Sequence, residues 1–170
     1  MTKQNYAELA DICSDLKDEP FEVLAFPCNQ FGKQEKGNSE QIGDFITGKL
    51  TDSNFSIFEK CHVNGRHTHP VWHFCRYNAD VTRNRRQMFV IPWNFAKFII
   101  DKEGRVFKYY SPKVPPSQIK PDIQALLANT VKAAPSQPRT ITPENAPPGF
   151  LSSSKAVERK ISSTGTTLFL

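Results

Sequence analysis

The chain has 170 residues, 38% of them hydrophobic and 23% charged, which suits one ordinary domain and argues against a wholly disordered chain. No apolar run approaches the ~18 residues that a membrane-spanning helix needs, and Met1-Thr2-Lys3-Gln4-Asn5-Tyr6 has no secretory h-region. The net charge is +5, of which +3 falls on residues 129–170, so residues 1–128 are nearly balanced and a nucleic-acid partner is not expected.

The elements follow in chain order. Tyr6, Leu9, Ala10, Cys13 and Leu16 recur at helical steps and predict an amphipathic helix over 3–17, with Thr2 as its cap. The apolar run Phe21–Phe26, stopped by Pro27, predicts a buried strand. A polar loop with Gly32 and Gly37 leads to a second helix. It begins at Asn38, with Gln41 as capping-box partner and Ile42, Phe45 and Ile46 on one face. Residues 55–77 predict a loop and then a short helix after Pro70, and residues 78–92 are polar and basic without clear periodicity.

Asn94–Ile100 is strand-like, Asp101–Gly104 is a hairpin turn, and Arg105–Tyr110 is the return strand. A last helix is expected over Ser117–Ala128. Residues 129–170 then hold five prolines and twelve Ser or Thr, a composition expected to be disordered. The division is thus a folded 1–128 and a basic, Ser/Thr/Pro-rich tail over 129–170. The order helix, strand, helix, hairpin, helix is an α/β pattern that opens on a helix. Cysteines at 13, 28, 61 and 75 are too few and too dispersed for a disulfide scaffold, so a reducing, cytoplasmic setting is the default expectation.

Phe26-Pro27-Cys28-Asn29-Gln30-Phe31-Gly32-Lys33-Gln34-Glu35 resembles the signature segment of the glutathione peroxidase family, and Trp93-Asn94-Phe95-Ala96-Lys97-Phe98 is similar to its second signature. Asn5-Tyr6, Val63-Asn64-Gly65, His69-Pro70 and the closing hairpin and helix also match, over roughly residues 1–128. The resemblance implies a thioredoxin-like fold and reduction of hydrogen peroxide and organic or lipid hydroperoxides, in defence against oxidative stress. Glutathione or another thiol would be the reducing co-substrate, with no bound cofactor and no metal.

By position, the family's Gln, Trp and Asn correspond to Gln34, Trp93 and Asn94. Their N–H groups can donate to a selenolate or thiolate and to the departing oxygen. The bland readings are core packing for the Trp and turn-making for the two amides.

The family's redox residue, selenocysteine or cysteine, would fall about two positions before Met1, because Thr2 matches the Thr of its short motif. The expectation is therefore a selenocysteine-type member truncated just after the redox residue. Such a chain should be inactive as it stands and should lack the N-terminal central strand, with two inner edges unpaired. Cys28 lies in the signature but reads as a small buried hydrophobe rather than a substitute nucleophile. The position of a resolving cysteine in the second helix is Thr47, which favours a one-chalcogen cycle with two external thiols.

Between His69-Pro70 and Trp93 the chain is short, which resembles the monomeric phospholipid-hydroperoxide type. Lys33, Arg83, Arg85 and Arg86 are then candidates to steer glutathione carboxylates or phospholipid head groups; the bland reading is a solvated basic loop. Lys36 departs from a common family Pro. His62, His67, His69 and His73, flanked by Cys61 and Cys75, have no compact zinc-finger spacing. Two other readings stand beside the peroxidase: a non-catalytic thioredoxin-fold binding or regulatory remnant, and a basic-tail nucleic-acid binder.

Overall fold

The structure is a computed structural model that describes residues 1–48, 50, 54–82, 88–131 and 165–170. Its elements are α1 (Thr2–Asp15), β1 (Phe21–Ala25), α2 (Ser39–Thr47), β2 (Phe55–Ile57), α3 (Pro70–Asn78), β3 (Lys97–Ile100), β4 (Val106–Tyr110), α4 (Lys120–Leu127) and β5 (Thr166–Phe169). The five strands form one sheet in the order β2-β1-β5-β3-β4. β1 is parallel to β2 and β5, while β3 is antiparallel to β5 and β4.

Side-chain alternation along the strands sends apolar residues to both faces. Phe21, Val23, Ile99 and Leu168 pack with Leu9, Ile12, Ile42, Ile46, Ile119 and Ile123, so α1, α2 and α4 share one face. Leu24, Phe26, Phe98, Ile100 and Phe169 pack with Val71, Trp72 and Cys75 of α3 on the other. Strands buried on both faces read as continuous apolar runs, which is why β1 was legible as one. Its Glu22 is buried and accepts from Ser56 Oγ at 2.6 Å.

Several expectations need correction. Thr2 does not cap α1; the N-cap is Met1, whose carbonyl accepts from Asn5 Nδ2 at 2.9 Å. The stretch read as loop after residue 55 contains β2, a three-residue strand. The strand expected from Asn94 starts at Lys97, because Trp93–Phe95 form a turn. The last helix starts as a 3-10 turn over Pro116–Gln118 and becomes α4 at Lys120, where Pro121 occupies the first turn; proline has no N–H to donate and favours such a start. The capping box of α2 forms as read, Gln41 N donating to Asn38 Oδ1 and Asn38 N to Gln41 Oε1.

The largest difference is at the end of the chain. Residues 165–170, read as part of a disordered tail, hold β5, and β5 lies between β1 and β3. The two inner edges expected to be unpaired are paired by this segment. The rest of the tail, residues 132–164, lies outside the described residues.

Candidate active site

At the carboxyl ends of β1 and β5 the chain encloses a pocket of about 450 Å³. Thr2 and Tyr6 of α1, the loop after β1, the turn before β3, and Leu170 contribute to its wall. Gln34, Trp93 and Asn94 all line it, so two segments distant in sequence deliver the three N–H-bearing side chains to one space.

The loop after β1 is shaped by its backbone. Gly32 and Lys33 both have positive φ, 62° and 51°, a left-handed pair that glycine adopts easily and lysine at some cost. This turn sets Gln34 beside Trp93; a Cβ on Gly32 would lie 3.5 Å from Gln34 Cγ and 3.7 Å from Trp93 Cη2. Asn29 Oδ1 accepts from Glu35 N at 3.0 Å, and Lys60 Nζ donates to the carbonyls of Glu35 and Gly37 at 2.9 and 2.6 Å. Trp93 leans on Phe31, ring centroids 5.8 Å apart, and remains 42% exposed. Its indole is therefore not core packing.

The second turn is held from beneath. Phe95 has φ of 61°, an uncommon conformation for a bulky residue. Its carbonyl accepts from Lys97 Nζ at 2.8 Å, and the same ammonium donates to Val114 O at 2.9 Å. The Phe95 ring meets Tyr6 edge-on at 5.9 Å, and Tyr6 meets Phe45 in the same way at 6.0 Å. The result places Asn94 so that its Nδ2 donates to Gln34 Oε1 at 3.1 Å. With its oxygen engaged, the Gln34 amide keeps two N–H groups to offer elsewhere.

Polar side chains staple the surrounding loops. Gln30 Oε1 accepts from Val63 N and Asn64 N, at 2.8 and 3.0 Å, and its Nε2 donates to Asn64 O. Asn64 in turn bonds both backbone groups of Ile91 at 2.9 Å. Buried Arg76 donates to Phe89 O and Val63 O at 2.8 and 3.0 Å. The loops carrying residues 28–35, 62–69 and 88–96 are thus tied to one another.

Burial sets the ionisation around the site. It drives Lys97 down from the usual lysine value to about 8, with Glu8 opposing. It also lifts Tyr6 to about 12, with the charge of Glu35 adding to the effect. Cys61 is pushed up to about 12 by burial and by Cys28, and Cys75 is pushed up by burial. Cys28 lines the pocket, 9% exposed, and its sulfur accepts from Gln30 N at 3.4 Å. None of the four cysteines is cross-linked.

The other expected residues fall elsewhere. Lys33 is exposed on the turn next to Gln34, and Arg83, Arg85 and Arg86 lie outside the described residues. Thr47 closes α2, exposed, its hydroxyl donating to Gly43 O at 2.9 Å. Among the described residues no three His, Cys, Asp or Glu side chains are grouped to hold a metal ion. Reading the sequence did not single out Tyr6 and Lys97 as builders of the pocket. The available signal was a lysine leading the apolar run Lys97–Ile100, which the strand must bury.

This sheet order, with helices on both faces and a pocket at the strand ends, is a thioredoxin-like α/β fold, and the solved structure of T. cruzi GPX1 shares it. That structure aligns with a TM-score of 0.55 and 27% identity, over 78% of this chain and 76% of the other. Residues 1–76 match the family model described as "Glutathione peroxidase". "Phospholipid hydroperoxide glutathione peroxidase 1, chloroplastic" of Arabidopsis thaliana is 44% identical over 128 residues, 75% of this chain and 52% of that protein. "Glutathione peroxidase 1" of Helianthus annuus is 42% identical over 127 residues, 75% of this chain and 73% of that protein. The chain belongs to the glutathione peroxidase family. It spans about half the length of the Arabidopsis relative.

Proposed function

We propose that the pocket is the donor side of a thiol-dependent peroxidase site that reduces hydrogen peroxide and organic or lipid hydroperoxides. The observation that carries this reading is the meeting of Gln34, Trp93 and Asn94 in one pocket, with Asn94 fixed on Gln34 Oε1. A selenolate or thiolate attacks one oxygen of the O–O bond and becomes a selenenic or sulfenic acid, while the other oxygen leaves as alcohol or water. One thiol then displaces water from the oxidised chalcogen, and a second thiol releases the disulfide and restores the anion. Glutathione is the reductant this reading favours, since Thr47 supplies no internal thiol. Fixed N–H donors help twice, by favouring the chalcogen anion and by stabilising charge on the leaving oxygen.

The nucleophile in this reading stands about two positions ahead of Met1. Thr2 lines the pocket, so a residue just before α1 would sit at the helix N-terminus, which favours an anion. The protein is expected to act as a monomer, with Lys33 and the Arg83, Arg85 and Arg86 segment guiding anionic thiols or lipid head groups.

The test is hydroperoxide-dependent oxidation of glutathione by a chain extended at its N-terminus with an apolar strand and a cysteine at that position, and ended at residue 164 so that the added strand can take the place of β5. Turnover should appear, and Gln34→Leu, Trp93→Phe or Asn94→Ala should each lower kcat/KM by about 10²-fold. Donor variants that keep full turnover would remove the proposal. The 170-residue chain itself should be inactive; turnover abolished by Cys28→Ser would instead make Cys28 the nucleophile. A second reading, a non-catalytic binding module, is favoured by one observation: β5 already occupies the centre of the sheet, where the family's N-terminal strand is expected.

A further inference from the structure

The C-terminal segment 165–170 is the only described part of the chain after residue 131, yet it forms the middle strand of the sheet. It pairs along both edges: Phe21, Glu22, Val23 and Leu24 of β1 face Thr166, Thr167, Leu168 and Phe169 in parallel. Ile100, Ile99 and Phe98 of β3 face Thr167, Leu168 and Phe169 in the antiparallel sense. Thr166 N donates to Pro20 O, Leu170 N to Leu24 O, and Phe26 N to Leu170 O, at 2.9, 3.0 and 2.8 Å.

Its side chains divide between the two cores. Leu168, 0% exposed, joins the face of α1 and α4, and Phe169, 1% exposed, stacks on Phe26 at 5.9 Å on the face of α3. Gly165 starts the strand with φ of 88°, and a Cβ there would come within 2.4 Å of Pro20 O. The segment thus meets the rest of the protein through a leading glycine, two sheet edges and two apolar anchors. This is peptide recognition by strand addition, made on two edges at once.

We propose that the groove between β1 and β3 is a strand-binding site for an extended peptide of this pattern. Its occupant is the chain's own Gly165–Leu170, bound in cis and exchangeable with the same peptide added in trans. Because Leu170 and Phe26 line the pocket, docking the segment also builds one pocket wall.

The experiment uses the full chain carrying Leu168→Asp with Phe169→Asp, and a dye-labelled synthetic peptide of residues 161–170. The double variant should bind the labelled peptide saturably, at least 10-fold more tightly than the wild-type chain, whose groove is filled. Binding should shift tryptophan emission to the blue, because Trp72 packs edge-on against Phe26 and Phe98. A peptide with Gly165→Val should bind at least 10-fold more weakly. Equal binding by both chains, or none by the variant, would overturn the proposal.

Should the variant precipitate, amide exchange of the wild-type chain decides. The amides of Phe26 and Leu170 should be as protected as that of Phe58, which bonds Ala25 O independently of β5. Protection at Phe58 with free exchange at Phe26 and Leu170 would refute the docked strand. A dimer that forms with rising concentration would refute occupancy in cis.

Discussion

Lys97 is fully buried in a strand whose other residues are apolar, and its two hydrogen bonds account for its place there. The ammonium that prevails at neutral pH donates to Phe95 O and Val114 O, and these bonds offset part of the cost of burying it. Burial accordingly depresses its pKa to about 8. The folded state then holds fewer protons than the unfolded state between about pH 8 and pH 10.4, so this group adds stability as pH rises through that window. Buried Cys61 and Tyr6 act in the opposite sense above their ordinary values, because their folded pKa values are raised. The comparison with Lys97→Met isolates the lysine: the wild-type Tm should gain on the variant's from pH 7 to pH 10. A difference that stays flat with pH would contradict this account of the buried amine. Asn64 offers a second check. Removing it leaves both backbone groups of buried Ile91 unpaired, so Asn64→Ala should cost about 2–3 kcal/mol in urea unfolding. That Gln34, Trp93 and Asn94 meet in one pocket could be expected from the sequence, because they lie in the two segments that resemble the family's signatures. The roles of Tyr6 and Lys97 could not, because they depend on which turns the fold sets against them.

At the scale of elements, local chemistry was readable where it is self-contained. The Asn38–Gln41 box closes within four residues, and its two reciprocal bonds form as expected; Asn38→Ala should lower stability by about 1 kcal/mol, read from the urea midpoint. The strand β2 was not readable, since three residues cannot show an alternation. Its identity comes from β1, with Val23, Leu24 and Ala25 facing Phe55, Ser56 and Ile57. The turn over Trp93–Phe95 was masked by its apolar composition, which mimics a strand until Lys97 anchors it from below. Gly32 is the element-level control on the site. Its φ of 62° makes Gly32→Ala strained by roughly 1 kcal/mol, and the shifted turn should move Gln34 away from Asn94.

For the whole molecule, the sequence yielded the α/β class and nearly every element of residues 1–128, but not what completes the sheet. Composition marked the whole tail as disordered, yet its last six residues hold a four-residue strand. Among the described residues, Gly165–Leu170 pairs only with segments far from it in sequence. It becomes ordered only because β1 and β3 present two edges and two apolar faces to it. Long-range pairing of this kind leaves no periodic trace in the segment itself. The same geometry brings Leu170 to the pocket wall beside Gln34, Trp93 and Asn94, so the segment that completes the sheet also lines the pocket.

In the proposed function these three side chains form a donor set for a chalcogen anion. The most direct measurement is the pH dependence of iodoacetamide alkylation at the cysteine of the N-terminally extended chain. The apparent pKa should lie well below the ordinary thiol value of about 8.5 and return toward it in Gln34→Leu, Trp93→Phe and Asn94→Ala. An unshifted thiol, or a shifted one indifferent to all three substitutions, would contradict that reading.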